Sequence, residues 1–375
     1  MKVAIVHDFL NQRGGAERVA LSMTRLFPDA PLFTSLYDPP ATFDEFDSVD
    51  VRTSFMQKLP HSEKTFRAML PLYPLAFKSF DLSDFDLVVT SSTHYAHHVR
   101  PGNAHHVVYC HNPPRWLYQT DDYVSKGGPV PRWARTPLKP VLAYLRRLDQ
   151  KAAARPSAYV ANSKVTAKRI RALYGREAKV VSPPIDVTRF DGMQEGGEKK
   201  HYLVVSRLLP YKRVDLAVSV CTERKVPLVV VGEGPARTEL EKIAGPNVRF
   251  AGRVSDEDLL ELFSGAWALI HCGEEDFGLT PLEANAAGIP CVAFRNAGAL
   301  ETVIENETGI LIPNQGGHEL NEALDRIESR DWDPAVLKRH ASTFDEPTFH
   351  RGLLRAIDLS LDSPTATPTP KGGQA

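Results

Sequence analysis

No stretch of the 375 residues stays apolar for the roughly 20 positions that a membrane-spanning helix needs, so no such helix is expected. Cysteine is scarce. Cys110, Cys221, Cys272 and Cys291 lie far apart, and none forms a CxxC pair, which removes the usual zinc and dithiol-redox frameworks. They fall mostly in apolar, strand-like runs and are expected as free buried thiols in a reducing cytoplasm. Charge of one sign is missing too. With 45 Lys and Arg against 46 Asp and Glu the formal net charge is −1, and no whole-chain field points to nucleic acid. Neither GxGxxG nor GxxxxGK[ST] occurs where a first strand meets a first helix, which argues against dehydrogenases and P-loop NTPases. The opening Met1-Lys2-Val3-Ala4-Ile5-Val6-His7-Asp8 turns polar too early for a signal peptide and reads as a retained, buried first strand.

What is present is a repeated alternation. Apolar runs at 3–7, 86–91, 106–110 and 158–162 lead into loops and then mostly into helical periodicity, beginning with an amphipathic stretch at 16–26. The second half repeats the scheme, with strands expected at 202–206, 228–232, 248–251, 268–271, 290–294 and 309–312. Helices are expected around 214–223, 236–243, 256–266, 281–287 and 318–329, and Ser255 with Asp258 forms a capping-type start. Such β/α alternation predicts parallel sheets covered by helices on both faces. A Pro-Pro turn at 183–184 and a polar, Gly-rich stretch at 191–200 mark a connection, with the boundary near 190. Domains of 1–190 and 191–362 follow, with the last helix free to pack back on the first domain. Two α/β domains so joined would leave a cleft at the carboxyl ends of both sheets, where open α/β sheets bind ligands. The tail 363–375, rich in Pro, Thr and Gly, reads as disordered.

Within the second half, Glu275 and Glu283 stand eight positions apart around Phe277-Gly278-Leu279-Thr280-Pro281, after an apolar run and at the start of a helix. The Gly turn allows backbone N–H groups to approach an anion, and the helix N-terminus favours negative charge there. A carboxylate alongside suits paired sugar hydroxyls, so the segment would read phosphate and sugar together, as a nucleotide sugar requires. The plainer alternative makes Glu275 a turn residue and Glu283 an exposed helical one. Arg207 and Lys212 follow the first strand of this half. A planar guanidinium fork and a point charge beside a helix start can hold a diphosphate and stabilise it as a leaving group. A solvated basic turn is the alternative. Gly232 and Glu233 end the next strand in a Gly-Glu-Gly-Pro turn that would bring backbone close to a nucleotide, or would simply join strand to helix.

In the first half, Gly14 and Gly15 open the first helix and permit close backbone approach to phosphate or sugar. His111, at a strand end, could contact the sugar or the reacting oxygens, or act as a structural hydrogen-bonder. Arg115 could hold an anionic group on the acceptor side. His94, His97, His98, His105 and His106 show no convincing metal-ligand pattern, although His-rich tracts can bind metal, and Asp84-Phe85-Asp86 precedes a strand where a metal-binding DxD would follow one, so no metal is expected. From Arg132 to Arg155 seven basic residues meet one acid, Asp149, with aromatic and aliphatic residues interleaved. That stretch suits either an anionic membrane surface or a sheet-packed helix with a solvated basic face.

Taken together these motifs resemble the retaining glycosyltransferases of family 4, which have the GT-B fold: α/β, two Rossmann-like domains with an interdomain cleft. The resemblance runs over residues 1–355. It implies that Arg207 and Lys212 bind the donor diphosphate and that Glu275 contacts donor-sugar hydroxyls. Glu283 would contact the ribose, and the backbone at Phe277, Gly278, Leu279 and Thr280 would touch sugar and phosphate. Gly14 and Gly15 look like the loop at the diphosphate and acceptor side, and His111 like the active-site histidine of related mannosyltransferases. The stretches His7-Asp8-Phe9, Tyr109-Cys110-His111-Asn112-Pro113 and Glu275-Asp276-Phe277-Gly278-Leu279 are similar to a bacterial subgroup that builds O-antigen and exopolysaccharide. Thr280 stands where that family commonly has Pro, and Ala297-Gly298 where it commonly has Gly-Gly. The implied activity is transfer of mannose from GDP-mannose to a lipid-linked saccharide or polysaccharide intermediate, with retention and without a metal or other cofactor. A UDP-hexose donor, a nucleotide-sugar 2-epimerase and a non-catalytic nucleotide-sugar binder are the alternatives. The expected location is cytoplasmic, with possible peripheral contact at the inner membrane face and no nucleic-acid partner.

Overall fold

A computed structural model describes residues 1–59, 69–118, 135–193, 198–296 and 298–362, with the side chains of 70 and 135–139 left aside. The expectations for 132–134, for Ala297 and for the tail lie outside these residues. The chain divides into one unit of Met1–Ser182 with Phe349–Ala375 and a second of Pro183–Thr348. The division falls a few residues before 190 because Ile185 N–H already bonds Phe344 O at 2.9 Å and Phe190 packs in the second core against Phe263.

The first unit holds seven parallel strands, β1 (Val3–His7), β2 (Leu32–Thr34), β3 (Val51–Thr53), β4 (Leu87–Ser92), β5 (His105–Cys110), β6 (Ala158–Ala161) and β7 (Ala178–Val180), in the order β3-β2-β1-β4-β5-β6-β7. The second holds β8 (His201–Val205), β9 (Leu228–Val231), β10 (Val248–Gly252), β11 (Ala266–His271), β12 (Cys291–Phe294) and β13 (Gly309–Ile312), in the order β10-β9-β8-β11-β12-β13 and again parallel. Both sheets are buried on two faces, which is why their strands read as continuous apolar runs. Along β8 and β9, Tyr202, Val204, Leu228 and Val230 join one core, while Leu203, Val229 and Val231 join the other. In β1 and β4, Ile5, Leu87 and Val89 face one way and Ala4, Val6 and Val88 the other. Each fully buried Val, Leu or Ile contributes about 1.5–3 kcal/mol of transfer free energy.

Local signals set the helix ends. Ser255 Oγ accepts from Asp258 N–H at 3.0 Å and starts the helix Asp256–Ser264, and Ser163 does the same for Lys164–Tyr174. Asp256–Ser264 is shorter than expected because Gly265 ends it and Ala266 already begins β11. The final helix, Glu346–Leu361, returns to the first unit, where Phe349 meets Tyr109 edge-on and His350 Nε2 lies 2.9 Å from Ser22 Oγ. All four cysteines are free and buried, and burial pushes the thiols of Cys221, Cys272 and Cys291 up to about 12.

Two expected outcomes follow from this packing. At Gly232 the backbone has φ 124°, and a Cβ would overlap the carbonyl of Ser206. Gly232→Ala should therefore cost about 1–3 kcal/mol or more, visible as a lower Tm. Gly175→Ala, also at positive φ but in open space, should cost less, and equal losses would contradict the overlap. His111, at the end of β5, is buried, and its ring is pushed down to about 3 by burial and by neighbouring His7, against an opposing pull from Asp8. A histidine depressed in the folded state favours folding fully above its unfolded value near 6.5 and loses that advantage as pH falls toward 3. Denaturant titrations should show stability falling on acidification below about pH 6.5, His111 alone adding a slope of about 1.4 kcal/mol per pH unit. His111→Gln should remove that increment, and an unchanged slope would contradict it.

Candidate functional site

In each sheet the strand order reverses beside one strand, between β1 and β4 and between β8 and β11. Loops leaving such neighbours diverge, which opens a crevice at their carboxyl ends.

In the second unit the loop after β8 runs from Ser206 into the tight turn Pro210–Lys212, and Arg213 (φ 50°) starts the helix Val214–Arg224. The left-handed conformation costs a non-glycine residue roughly 1–2 kcal/mol, and it is held here by the Arg213 guanidinium bonding Asp215 at 3.1 Å. This turn presents Lys212 Nζ to Glu275 Oε1, on the loop after β11, in a partly buried ion pair. Loop closeness is enforced at Gly273, where a Cβ would press on Lys212 Cα at 2.9 Å. His271 Nε2 lies 3.8 Å from the same Glu275 oxygen, and burial holds that imidazole below its ordinary range despite the carboxylate. Ser206, Lys212, His271 and Cys272 line a small recess between the two strands.

Past Glu275, Gly278 (φ 87°) makes the turn into the helix Leu279–Ala286, where a Cβ-bearing residue would be strained. The loop is braced from outside: Gly298 N–H donates to Glu275 O at 3.1 Å, and a Cβ on Gly298 would overlap the Phe277 backbone. Leu279 and Thr280 form the start of the helix, whose partial positive charge points out of the sheet. Glu283, in the next turn, lies 3.8 Å from Arg189, which also bonds Asp256 at 3.0 Å. Arg207 is exposed at the end of β8. The Gly232 turn packs under this loop, with Leu208 N–H donating to Glu233 O at 2.9 Å and Ser206 N–H to Val231 O at 3.0 Å.

Lys212 and Glu275 are thus brought into contact, with Gly278, Leu279, Thr280 and Glu283 following directly along the chain. Two side chains of these segments point elsewhere, the sequence reading having assigned only their backbone to a ligand. The Glu233 side chain is exposed and paired with Arg237 of its own helix, leaving only its backbone in the turn. The Phe277 ring is buried in the core, edge-on to Phe344.

In the first unit Gly14 caps the helix Gly15–Leu26, beside the buried Glu17, whose carboxylate a Cβ on Gly14 would overlap. Gly15 is exposed in the first turn. A chain of polar contacts links this turn to His111. Glu17 Oε1 lies 3.9 Å from His7 Nε2, His7 Nδ1 3.0 Å from Ser91 Oγ, and Ser91 Oγ 2.8 Å from His111 Nε2. His7, Glu17 and Ser91 were not singled out from sequence; the signal for two of them was position, since His7 ends β1 and Ser91 lies near the end of β4. Asp8 is buried and accepts four backbone N–H groups, from Thr93, His94, Tyr95 and Ala96, at 2.5–2.9 Å. Burial opposes its ionisation, but the neighbouring His94 and His7 and these bonds hold the carboxyl below its ordinary range. Arg115 opens a four-residue helical turn after β5. Asp86 of the Asp-Phe-Asp stretch accepts from the Lys2 backbone at 2.7 Å, ahead of β4, which is a structural task.

Comparison with known proteins adds family and fold. Residues 13–189 match the family Glycosyltransferase Family 4, and residues 189–343 match Glycosyl transferases group 1. A GDP-mannose-dependent alpha-mannosyltransferase of Mycobacterium tuberculosis is 33% identical over 122 residues, covering 32% of each chain. The D-rhamnosyltransferase WbpZ of Pseudomonas aeruginosa is 27% identical over 186 residues, covering 45% of this chain and 47% of the relative. The chain thus spans about a third to a half of these curated relatives' length. Among solved structures, Anabaena Alr3699/HepE in complex with UDP and glucose has a TM-score of 0.71 at 18% identity, over 96% of this chain and 99% of that one. The Glycosyltransferase Family 4 and Glycosyl transferases group 1 models together match the chain across residues 13–343, and its two parallel-sheet α/β units have the GT-B fold.

Proposed function

We propose that the protein transfers a hexose from a nucleotide sugar, mannose from GDP-mannose, to a lipid-linked saccharide or polysaccharide intermediate with retention of configuration. The observation that carries this reading is the pairing of Lys212 with Glu275 where β8 and β11 end, directly before the helix Leu279–Ala286. A cation and a helix N-terminus suit a diphosphate, and a carboxylate between them suits the hydroxyls of the attached sugar. The GDP-mannose donor is supported by the mycobacterial relative's dependence on it. A UDP-hexose is the second reading, favoured by the UDP and glucose held in the Anabaena structure.

In this reading Arg207 and Lys212 take up the charge that builds on the departing diphosphate, work that needs no metal ion. The bond from the anomeric carbon to the diphosphate breaks. The acceptor oxygen bonds that carbon on the same face, and its proton passes to the leaving diphosphate. Glu275 orients the sugar, Glu283 the ribose, and the backbone of Phe277, Gly278, Leu279 and Thr280 lies along sugar and phosphate. Gly14 and Gly15 leave room for the diphosphate. His111, kept neutral by burial, acts as a hydrogen-bonding group toward the sugar, and Arg115 holds an anionic group of the acceptor. Among the described residues no helix is long and apolar enough to cross a membrane. Peripheral contact would use the helix Arg135–Ala153, where Val141, Tyr144, Arg147 and Lys151 are exposed.

Thermal-shift and calorimetric titration with GDP-mannose, GDP, UDP-glucose and UDP should show selective stabilisation by the guanosine pair. Selective stabilisation by the uridine pair would replace the donor and keep the transferase. Lys212→Ala should lower turnover by about 100-fold or more, and Glu283→Ala should weaken donor binding with a smaller effect on turnover. Normal turnover in Lys212→Ala would overturn the leaving-group role. Sedimentation with anionic vesicles should weaken in an Arg147→Glu/Lys151→Glu variant, and equal sedimentation would remove this helix as an anchor.

A further inference from the structure

Among the seven basic residues of 132–155 the sole acid, Asp149, does not face water but is fully buried. Its Oδ2 accepts the hydroxyl hydrogens of Tyr118 and Tyr174, each at 2.8 Å. Its Oδ1 faces two adjacent histidines of the turn Ala96–His98, with His97 Nε2 at 3.0 Å and His98 Nε2 at 3.3 Å. Both histidines are buried, and their rings stand 4.7 Å apart, tilted by 60°. One ligand atom from each of the three residues falls within 4.8 Å of the others.

Hydrogen bonding does not account for the whole arrangement. His98 Nε2 makes its bond to Oδ1, whereas His97 Nε2, 3.0 Å from the same oxygen, is not aligned to bond it, and His98 Nδ1 finds no hydrogen-bond partner among the described residues. A buried nitrogen left so is destabilising, unless its lone pair is used in another way. Zinc bonds of about 2.0–2.2 Å at tetrahedral angles place neighbouring ligand atoms roughly 3.3–3.5 Å apart, close to the two Nε2–Oδ1 separations of 3.0 and 3.3 Å. An outer shell is also in place. His97 Nδ1 lies 3.2 Å from Ser92 Oγ, which can fix the tautomer that turns the Nε2 lone pair inward. The two phenols hold the carboxylate from its far side.

We propose that His97, His98 and Asp149 form a binding site for one zinc-class divalent cation, which ties the turn after β4 to the helix Arg135–Ala153. Three protein ligands leave the fourth tetrahedral position to water. The ion would lie outside the transfer chemistry, holding the turn to the helix through three side chains with an exchangeable fourth ligand. It would stiffen the loop whose N–H groups already converge on Asp8. The competing explanation is a metal-free hub in which tyrosines and histidines satisfy one carboxylate.

The test uses the full chain without an affinity tag, stripped by chelator in mild denaturant and refolded with or without Zn²⁺ or Co²⁺. The expected result is one equivalent of zinc by elemental mass spectrometry, a higher Tm with zinc, and visible d–d bands with cobalt. Ser92→Ala, which removes only the outer partner, should weaken zinc binding by about 10- to 100-fold. His97→Gln should weaken it further. Refolded wild-type chain that takes up no stoichiometric metal and gains no Tm would overturn the proposal. So would uptake that is unchanged in His97→Gln, because the ion would then sit elsewhere.

Discussion

A parallel sheet whose strand order reverses sends the connections on either side of the reversal over opposite faces, because each crossover is right-handed. The loops beside the reversal therefore part, and the chain cannot fill the space between them with its own backbone. In this protein that constraint operates twice, at β1 and β4 and at β8 and β11. The residues of interest follow from it. Lys212 and Glu275 lie 63 positions apart in the chain and touch only because β8 and β11 are neighbours. His7 and Ser91 meet for the same reason, with β1 paired to β4.

Around those crevices glycine does a second job. Gly232, Gly273 and Gly298 each stand where a Cβ would collide with backbone of an adjoining loop. The loops are consequently packed to within van der Waals contact, and the Lys212–Glu275 pair sits on a braced support. In the first unit the bracing is polar. The Asp8 carboxylate gathers four N–H groups, and the contacts from Glu17 through His7 and Ser91 to His111 run through buried side chains. Burial holds His111 and His271 below the ordinary imidazole range. Near neutral pH His111 and His271 therefore work as neutral hydrogen-bonding groups.

Much of the architecture was legible because doubly covered strands such as Leu228–Val231 and Gly309–Ile312 leave short, unbroken apolar runs between turn residues. The three-residue strands Leu32–Thr34, Val51–Thr53 and Ala178–Val180 were not, since they are too brief to show a period and the latter two are largely exposed. At the site, backbone-dependent positions such as Gly278 could be read locally. Side-chain fates could not. For Phe277 and Glu233 only the backbone was read toward a ligand; that the Phe277 ring belongs to the core and that Glu233 pairs with Arg237 one turn later had no local signal. Asp149 is the strongest case. Counted in sequence it is one acid diluted in a basic stretch, while in space it is the buried centre on which two histidines and two tyrosines converge from separate segments. Histidine spacing alone could not show that, because the third partner lies 51 positions away.

The central claim is that the nucleotide sugar is held by the loops that follow β8 and β11. Photo-crosslinking with an azido-GDP-mannose, followed by peptide mapping, tests it most directly. The account predicts labelling within 206–213 or 273–283 that unlabelled GDP-mannose displaces and that Lys212→Ala diminishes. Displaceable labelling confined to other segments, with these loops untouched, would contradict it.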